Sequence, residues 1–202
     1  MRERIAEFAS RAFVGVLYAQ LSVRLLGDFI RTQHLTALLL LVSESLVVVF
    51  TVFRRRAQTV DRSPMTRLVT TIAVVGPALL HPIDNRGLVP DAVTAVFVAL
   101  GACVVITAKV TLGRSFGIAP ANRGIVANGP YSIIRHPIYA GYLVAHIGFL
   151  VAHPTMWNVV ILTFSDICLV IRTSLEERIL AKDSGYRQYC RRVGWRLVPG
   201  VY

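Results

Sequence analysis

Hydrophobic residues fall into six runs, separated by short stretches rich in arginine, glycine and proline. The runs cover 12–30 (broken by Gln20 and Arg24), 35–53, 68–80, 89–112, 138–152 and 155–171. A helix needs roughly 20 residues to cross the hydrocarbon core, with a range of about 17–25. The third and fifth runs are shorter than that. The third gains length if it extends over 65–83, or by tilting. The fifth and sixth read as a helical hairpin turning at His153-Pro154, because proline suits the first turn of a helix. The pattern predicts an all-α, polytopic membrane bundle with about four spans and a C-terminal hairpin short for a full crossing.

Composition supports a lipid setting. The chain has 202 residues, 54% hydrophobic and 16% charged, with mean hydropathy +0.59. A soluble domain is about 45–50% apolar and about 25% charged. The same figures exclude disorder, collagen and a disulfide scaffold. Cys103, Cys168 and Cys190 show no metal-ligand spacing, and no metal site is expected. Cys103 and Cys168 lie in apolar runs and read as small core residues. The first segment needs no signal-peptide explanation, since no small-residue cleavage pattern follows a short apolar core.

The net charge is +11, from 22 basic and 11 acidic residues. Alone, that suggests a polyanion or an anionic membrane surface. Position decides between them. The basic residues form clusters at Arg2, Arg4 and Arg11; at Arg54, Arg55, Arg56, Arg62 and Arg67; at Lys109, Arg114, Arg123 and Arg135; and from Arg172 to Arg196. These hold 19 of the 22 and alternate with the runs so as to fall on one side. The positive-inside rule makes that side cytoplasmic, with both termini inside. The charge therefore reads as topology and headgroup contact, and nucleic acid is not an expected partner. The predicted division is residues 1–112 as membrane scaffold, and 113–202 as loop, hairpin and tail.

Two regions lie outside the runs. One is the loop 113–137, with Gly113, Gly117, Gly124, Gly129, Pro120, Pro130 and Pro137; loops of this length tend to be functional. It ends in Arg135-His136-Pro137, where Pro137 is placed to open a helix whose N-terminal N–H groups suit a carboxylate. Tyr131 and Tyr139 add aromatic faces for a purine or a cation. The same residues also suit a headgroup-level belt. The other region is the tail from about residue 176. If the last run continues as a helix, Asp166, Thr173 and Glu177 share a face, and Arg172 pairs with Glu176 at i, i+4. Arg24, Glu44, Asp166 and His146 are polar within apolar runs, so each should face protein or water. Arg24 and Glu44 are candidates to pair across the first hairpin.

In order, the chain carries Leu112-Gly113-Arg114-Ser115-Phe116, Gly129-Pro130-Tyr131, Arg135-His136-Pro137-x-Tyr139-x-Gly141, Arg172, Glu176-Glu177-x-x-Leu180, Gly185-Tyr186-x-x-Tyr189, Val193 and Pro199. These pieces resemble the isoprenylcysteine carboxyl methyltransferase family, a group that includes phospholipid N-methyltransferase-like membrane enzymes. The resemblance covers the last ninety residues. It implies an integral membrane methyltransferase using S-adenosylmethionine, in a bacterial plasma membrane, acting on a hydrophobic, lipid-like acceptor at the cytoplasmic face. It makes Tyr131, Arg135, His136, Pro137, Tyr139, Gly141, Glu176 and Glu177 cofactor-pocket candidates. Arg172, Glu176 and Arg135 become catalytic candidates, with Arg172 orienting a carboxylate. Carboxyl transfer ranks before amine transfer, which would need a base such as His136, Glu176 or Glu177.

Two rival readings remain from the sequence. Membrane sterol reductases carry a related Arg-His-Pro-x-Tyr stretch, which raises an NADPH-dependent reductase. Here Ile138 and Gly141-Tyr142 stand where those enzymes have Asn and an acidic residue. A non-enzymatic transporter or membrane interaction protein is the other rival, and it predicts no adenosyl cofactor binding.

Overall fold

The computed structural model describes residues 12, 15, 16, 18–20, 22, 23, 26, 27, 29–31, 35–55, 57, 59–61, 63–81 and 88–202. The expectations placed on Arg2, Arg4, Arg11, Arg24, Arg56 and Arg62 lie outside these residues. The described positions from 12 to 31 are helical. Then follow α1 (Leu35–Phe53), β1 (Thr59–Val60), α2 (Pro64–Val75), α3 (Asp91–Leu112), β2 (Ala121–Asn122), α4 (Pro137–Ala152), α5 (Met156–Leu180) and α6 (Ser184–Arg192). The molecule is all-α, apart from β1 and β2, which pair antiparallel with Thr59 opposite Asn122.

Local chemistry sets the helix ends. Ser63 caps α2, its hydroxyl accepting from the Thr66 N–H, with Pro64 in the first turn. Gly76–Leu79 continue α2 as a 3-10 turn around Pro77. Pro137 opens α4 as the sequence predicts. Thr155 caps α5 by accepting from the Asn158 N–H. Asn158 is fully buried and locks the hairpin turn: its amide nitrogen donates to the carbonyls of His81 and His153 at 2.9 Å each.

Two helices, 92–115 and 156–180, are long and apolar enough to cross a membrane, and 41–53, 64–79 and 137–152 are shorter apolar helices. Their outward faces carry Leu100, Val96, Phe164 and Ile167, all more than half exposed. Lipid would bury those side chains. Inside, α3 and α4 approach backbone to backbone. A Cβ at Gly141 would sit 2.7 Å from Val105 Cγ2 and 2.8 Å from the Gly101 carbonyl oxygen. One at Gly101 would sit 2.5 Å from the Gly141 carbonyl oxygen. Small residues permit this closeness, and packing in lipid relies on it.

Two expectations are corrected. Lys109 makes no headgroup contact: it is fully buried, its Nζ donating to the Ser43 carbonyl and hydroxyl at 2.9 Å. Glu44 lies 3.6 Å from that same Nζ, and its expected pairing with Arg24 falls outside the described residues. Cys103 is exposed on α3 rather than in the core, because an outward face in a lipid setting is as apolar as the inside.

Candidate active site

The loop 113–137 is held down at several points. The Arg55 N–H donates to the Arg114 carbonyl at 2.7 Å, and Arg114 Nε donates to the Phe53 carbonyl at 3.1 Å. Asn122 Nδ2 donates to Asp183 Oδ2 at 3.0 Å, linking the loop to the cap of α6. Gly129 takes φ +56°, a left-handed conformation that only glycine adopts cheaply, and starts the Gly129–Ser132 3-10 turn that carries Tyr131.

Around the start of α4 the chain brings Arg172, Glu176, Glu177 and His136 together. Arg172 on α5 lies 3.3 Å through Nε from Glu176 Oε1, the i, i+4 pair read from the sequence. The Tyr139 hydroxyl donates to the same Glu176 oxygen. The Arg172 guanidinium stands over the Tyr139 ring at 5.1 Å and also donates to the Ile118 carbonyl in the loop. His136 stacks on Tyr139 at 5.5 Å with an interplanar angle of 4°. Its Nε2 lies 3.3 Å from Glu177 Oε1, and its Nδ1 lies 3.7 Å from Glu176 Oε2.

The tail closes this cluster. The Arg135 and His136 N–H groups donate to the carbonyls of Trp195 and Arg196 at 2.9 Å each. Glu177 is clamped between Arg135 Nε at 2.9 Å and Arg196 Nε at 2.8 Å. Tyr189 of α6 donates its hydroxyl to the Tyr131 carbonyl at 2.7 Å. Burial pushes the Tyr131 and Tyr186 hydroxyls well above the usual phenol range and Tyr189 up to about 12, so all three stay neutral at pH 7.

One cavity of about 470 Å³ runs from this cluster into the bundle. Tyr131, Arg135, His136, Tyr139, Arg172 and Glu176 line one part of it. Ala73, Pro77, Val98 and Phe149 line an apolar part between helices. Glu44, Tyr18 and Tyr142 stand along it as well. Six sequence-predicted residues therefore share one wall. Glu177 sits outside the lining and holds Arg135, His136 and Arg196. Gly141 and Pro137 are not cavity residues either: Gly141 is the contact point with α3, and Pro137 is buried as the first residue of α4. Asp166 and Glu177 do share a face of the continuous helix α5, but Asp166 stands three turns away and pairs with His146 on α4.

Several contributors carry no role in the sequence reading. Arg196 lies 19 residues from Glu177, and no local pattern joins them. Tyr186 and Tyr189 belong to a quoted motif without an assigned task. Lys109 does leave a signal, since it is one of only two lysines and stands inside an apolar run.

A cavity with carboxylate, guanidinium and aromatic faces at one end and hydrocarbon at the other suits a charged small molecule meeting an apolar one. Comparison with known proteins agrees in kind. A family profile described as phospholipid methyltransferase matches residues 87–187, half of the chain. No curated protein matches it significantly.

Proposed function

The chain belongs to the phospholipid methyltransferase family, and from that premise we propose that it moves a methyl group from S-adenosylmethionine to a hydrophobic, lipid-like acceptor at the cytoplasmic face of a bacterial plasma membrane. The observation that carries the reading is one cavity lined both by charged and aromatic groups and by apolar side chains.

The residues fit such a cofactor. Arg172 and Arg135 suit its carboxylate. Glu176 and the faces of Tyr131 and Tyr139 suit its ammonium, sulfonium and purine. The cofactor supplies an electrophilic methyl group, displaced in line by the acceptor. The protein's share is alignment. Arg172 is fixed from three directions, by Glu176, the Tyr139 ring and the Ile118 carbonyl, so it presents its charge in one orientation. The apolar walls hold a hydrocarbon tail and exclude water. A carboxylate acceptor would need only an arginine to hold it. A hydroxyl or amine acceptor would also need a proton acceptor.

Calorimetry on the purified protein in detergent tests this reading. S-adenosylhomocysteine should release heat on binding and NADPH should not. Heat with NADPH alone would replace the methyltransferase reading with the reductase one. His136→Ala should abolish S-adenosylhomocysteine binding while the protein stays monodisperse, and normal binding by that variant would remove His136 from the site.

A further inference from the structure

Halfway along the hairpin, His146 of α4 meets Asp166 of α5, with Nδ1 2.6 Å from Oδ1. A carboxylate only accepts hydrogen bonds, so Nδ1 carries a proton in this contact, and in the neutral imidazole that leaves Nε2 as the acceptor. Among the described residues Nε2 has no hydrogen-bond partner. His146 lines the same cavity as Arg172 and Glu176. It lies two helical turns from Tyr139, about 10 Å along α4. Tyr142 stands between them, stacked on the imidazole at 6.1 Å. The neighbouring wall is apolar: Ala145, Val98 and Phe149. His146 therefore stands beside the apolar part of the cavity.

A pair that merely pinned two helices could be sealed in their contact. This one is not: the His146 side chain keeps 13% exposure and lines the cavity, while Asp166 stands behind it, beside exposed Ile167 on α5. The imidazole borders the cavity, with one nitrogen held by a carboxylate and the other without a protein partner among the described residues.

Resting on the methyltransferase reading, we infer that His146 is the proton acceptor for the acceptor's nucleophile, an O–H or N–H group, and that Asp166 is its positioning residue. As the new O–C or N–C bond forms, the methyl C–S bond breaks and its electron pair stays on sulfur. The nucleophile's proton passes to Nε2 of His146, and Asp166 balances the imidazolium that results. An ionised carboxylate has no proton to give, so the acceptor class is a hydroxyl or amine lipid, not the carboxylate that the sequence ranks first.

The test uses the full chain in nanodiscs with methyl-labelled S-adenosylmethionine and three probes: hexadecylamine, a pentadecyl phenol and palmitate. Label should enter the amine or the phenol and not palmitate. His146→Ala should lower it by about 100-fold or more, with S-adenosylhomocysteine affinity within about twofold of the parent protein. His146→Gln, which can keep the bond to Asp166, carries the same expectation should the alanine variant be polydisperse. Asp166→Ala should behave alike, and Asp166→Glu should recover most of the transfer. An ¹⁵N spectrum of histidine-labelled protein should show His146 protonated on Nδ1 alone, without any cofactor present. Label on palmitate, label on no probe, transfer that survives His146→Ala, or a proton on Nε2 would each overturn the inference. Failure of the parent protein to bind S-adenosylhomocysteine would instead overturn the methyltransferase reading beneath it.

Discussion

Arg196 Nε stands 2.8 Å from Glu177 Oε2, and this contact lays the C-terminal tail across the start of α4. The tail carbonyls of Trp195 and Arg196 then accept from the Arg135 and His136 N–H groups. Two residues that line the cavity are thus set in place by a segment about sixty positions later.

Breaking that strap should loosen the site before it loosens the bundle. Arg196 is a third exposed, so solvent screens much of the ion pair. Arg196→Ala should cost no more than about 1 kcal/mol of overall stability. Exchange of the Arg135 and His136 amides should quicken clearly, because their acceptors ride on the tail. Hydrogen exchange read by mass spectrometry checks this, and unchanged protection across 133–137 would contradict it.

Lys109 offers a sharper energetic test. Its ammonium is fully buried against Ser43 and Glu44. Lys109→Met leaves Glu44 without its cation in a desolvated place, and removing one partner of a buried pair costs about 3–5 kcal/mol. Lys109→Met with Glu44→Gln removes both charges and should recover most of the loss. Thermal unfolding in detergent compares the two, and equal melting points for single and double variants would refute the pairing.

The α3–α4 contact should tolerate no added methyl. In Gly141→Ala the new Cβ would meet Val105 and the Gly101 backbone inside 3.0 Å, and backbone cannot swing aside. Overpacking of this kind costs about 1–3 kcal/mol. Gly194→Ala, with nothing within 4 Å of its Cβ, is the control and should be close to neutral. Melting temperatures of both variants decide the matter.

Asp183 gives a pH dependence with a definite sign. Hydrogen bonds from Asn122 and the Gly185 N–H hold its carboxyl below the usual carboxylate range. A carboxylate so lowered adds stability that is fully present above its unfolded value of about 3.9. That contribution fades as pH falls through the lower folded value. Docking of α6 on the loop should therefore be constant from pH 7 to about 5 and weaken below about 4. Asp183→Asn should remove that acid-side change, as followed by Gly185 amide protection against pH.

Much of the fold is legible from hydrophobic spacing. The run 35–53 coincides with α1, and 89–112 differs from α3 by two residues. Pro137 and the His153-Pro154 turn mark the hairpin because proline chemistry is local. The i, i+4 spacing of Arg172 and Glu176 is local too, and the pair forms. Glycine is where local reading fails. Gly141 sits in a motif beside site residues, and only the approach of α3 shows that its missing side chain serves helix packing. Asp166 and Glu177 share a helical phase, yet one faces α4 within the bundle and the other faces the tail, because different partners stand at the two heights.

The sequence by itself determined the helical elements and the lipid setting, which follow from periodicity and hydropathy, while its candidate site residues followed from a family resemblance and not from spacing. The tertiary structure alone decided which charges meet. Lys109 with Glu44, His146 with Asp166 and Arg196 with Glu177 are joined across separate segments, and nothing local encodes the pairing. A charge carried into an apolar bundle must find a partner because desolvation is costly, and packing of the helices is what selects which partner stands within reach.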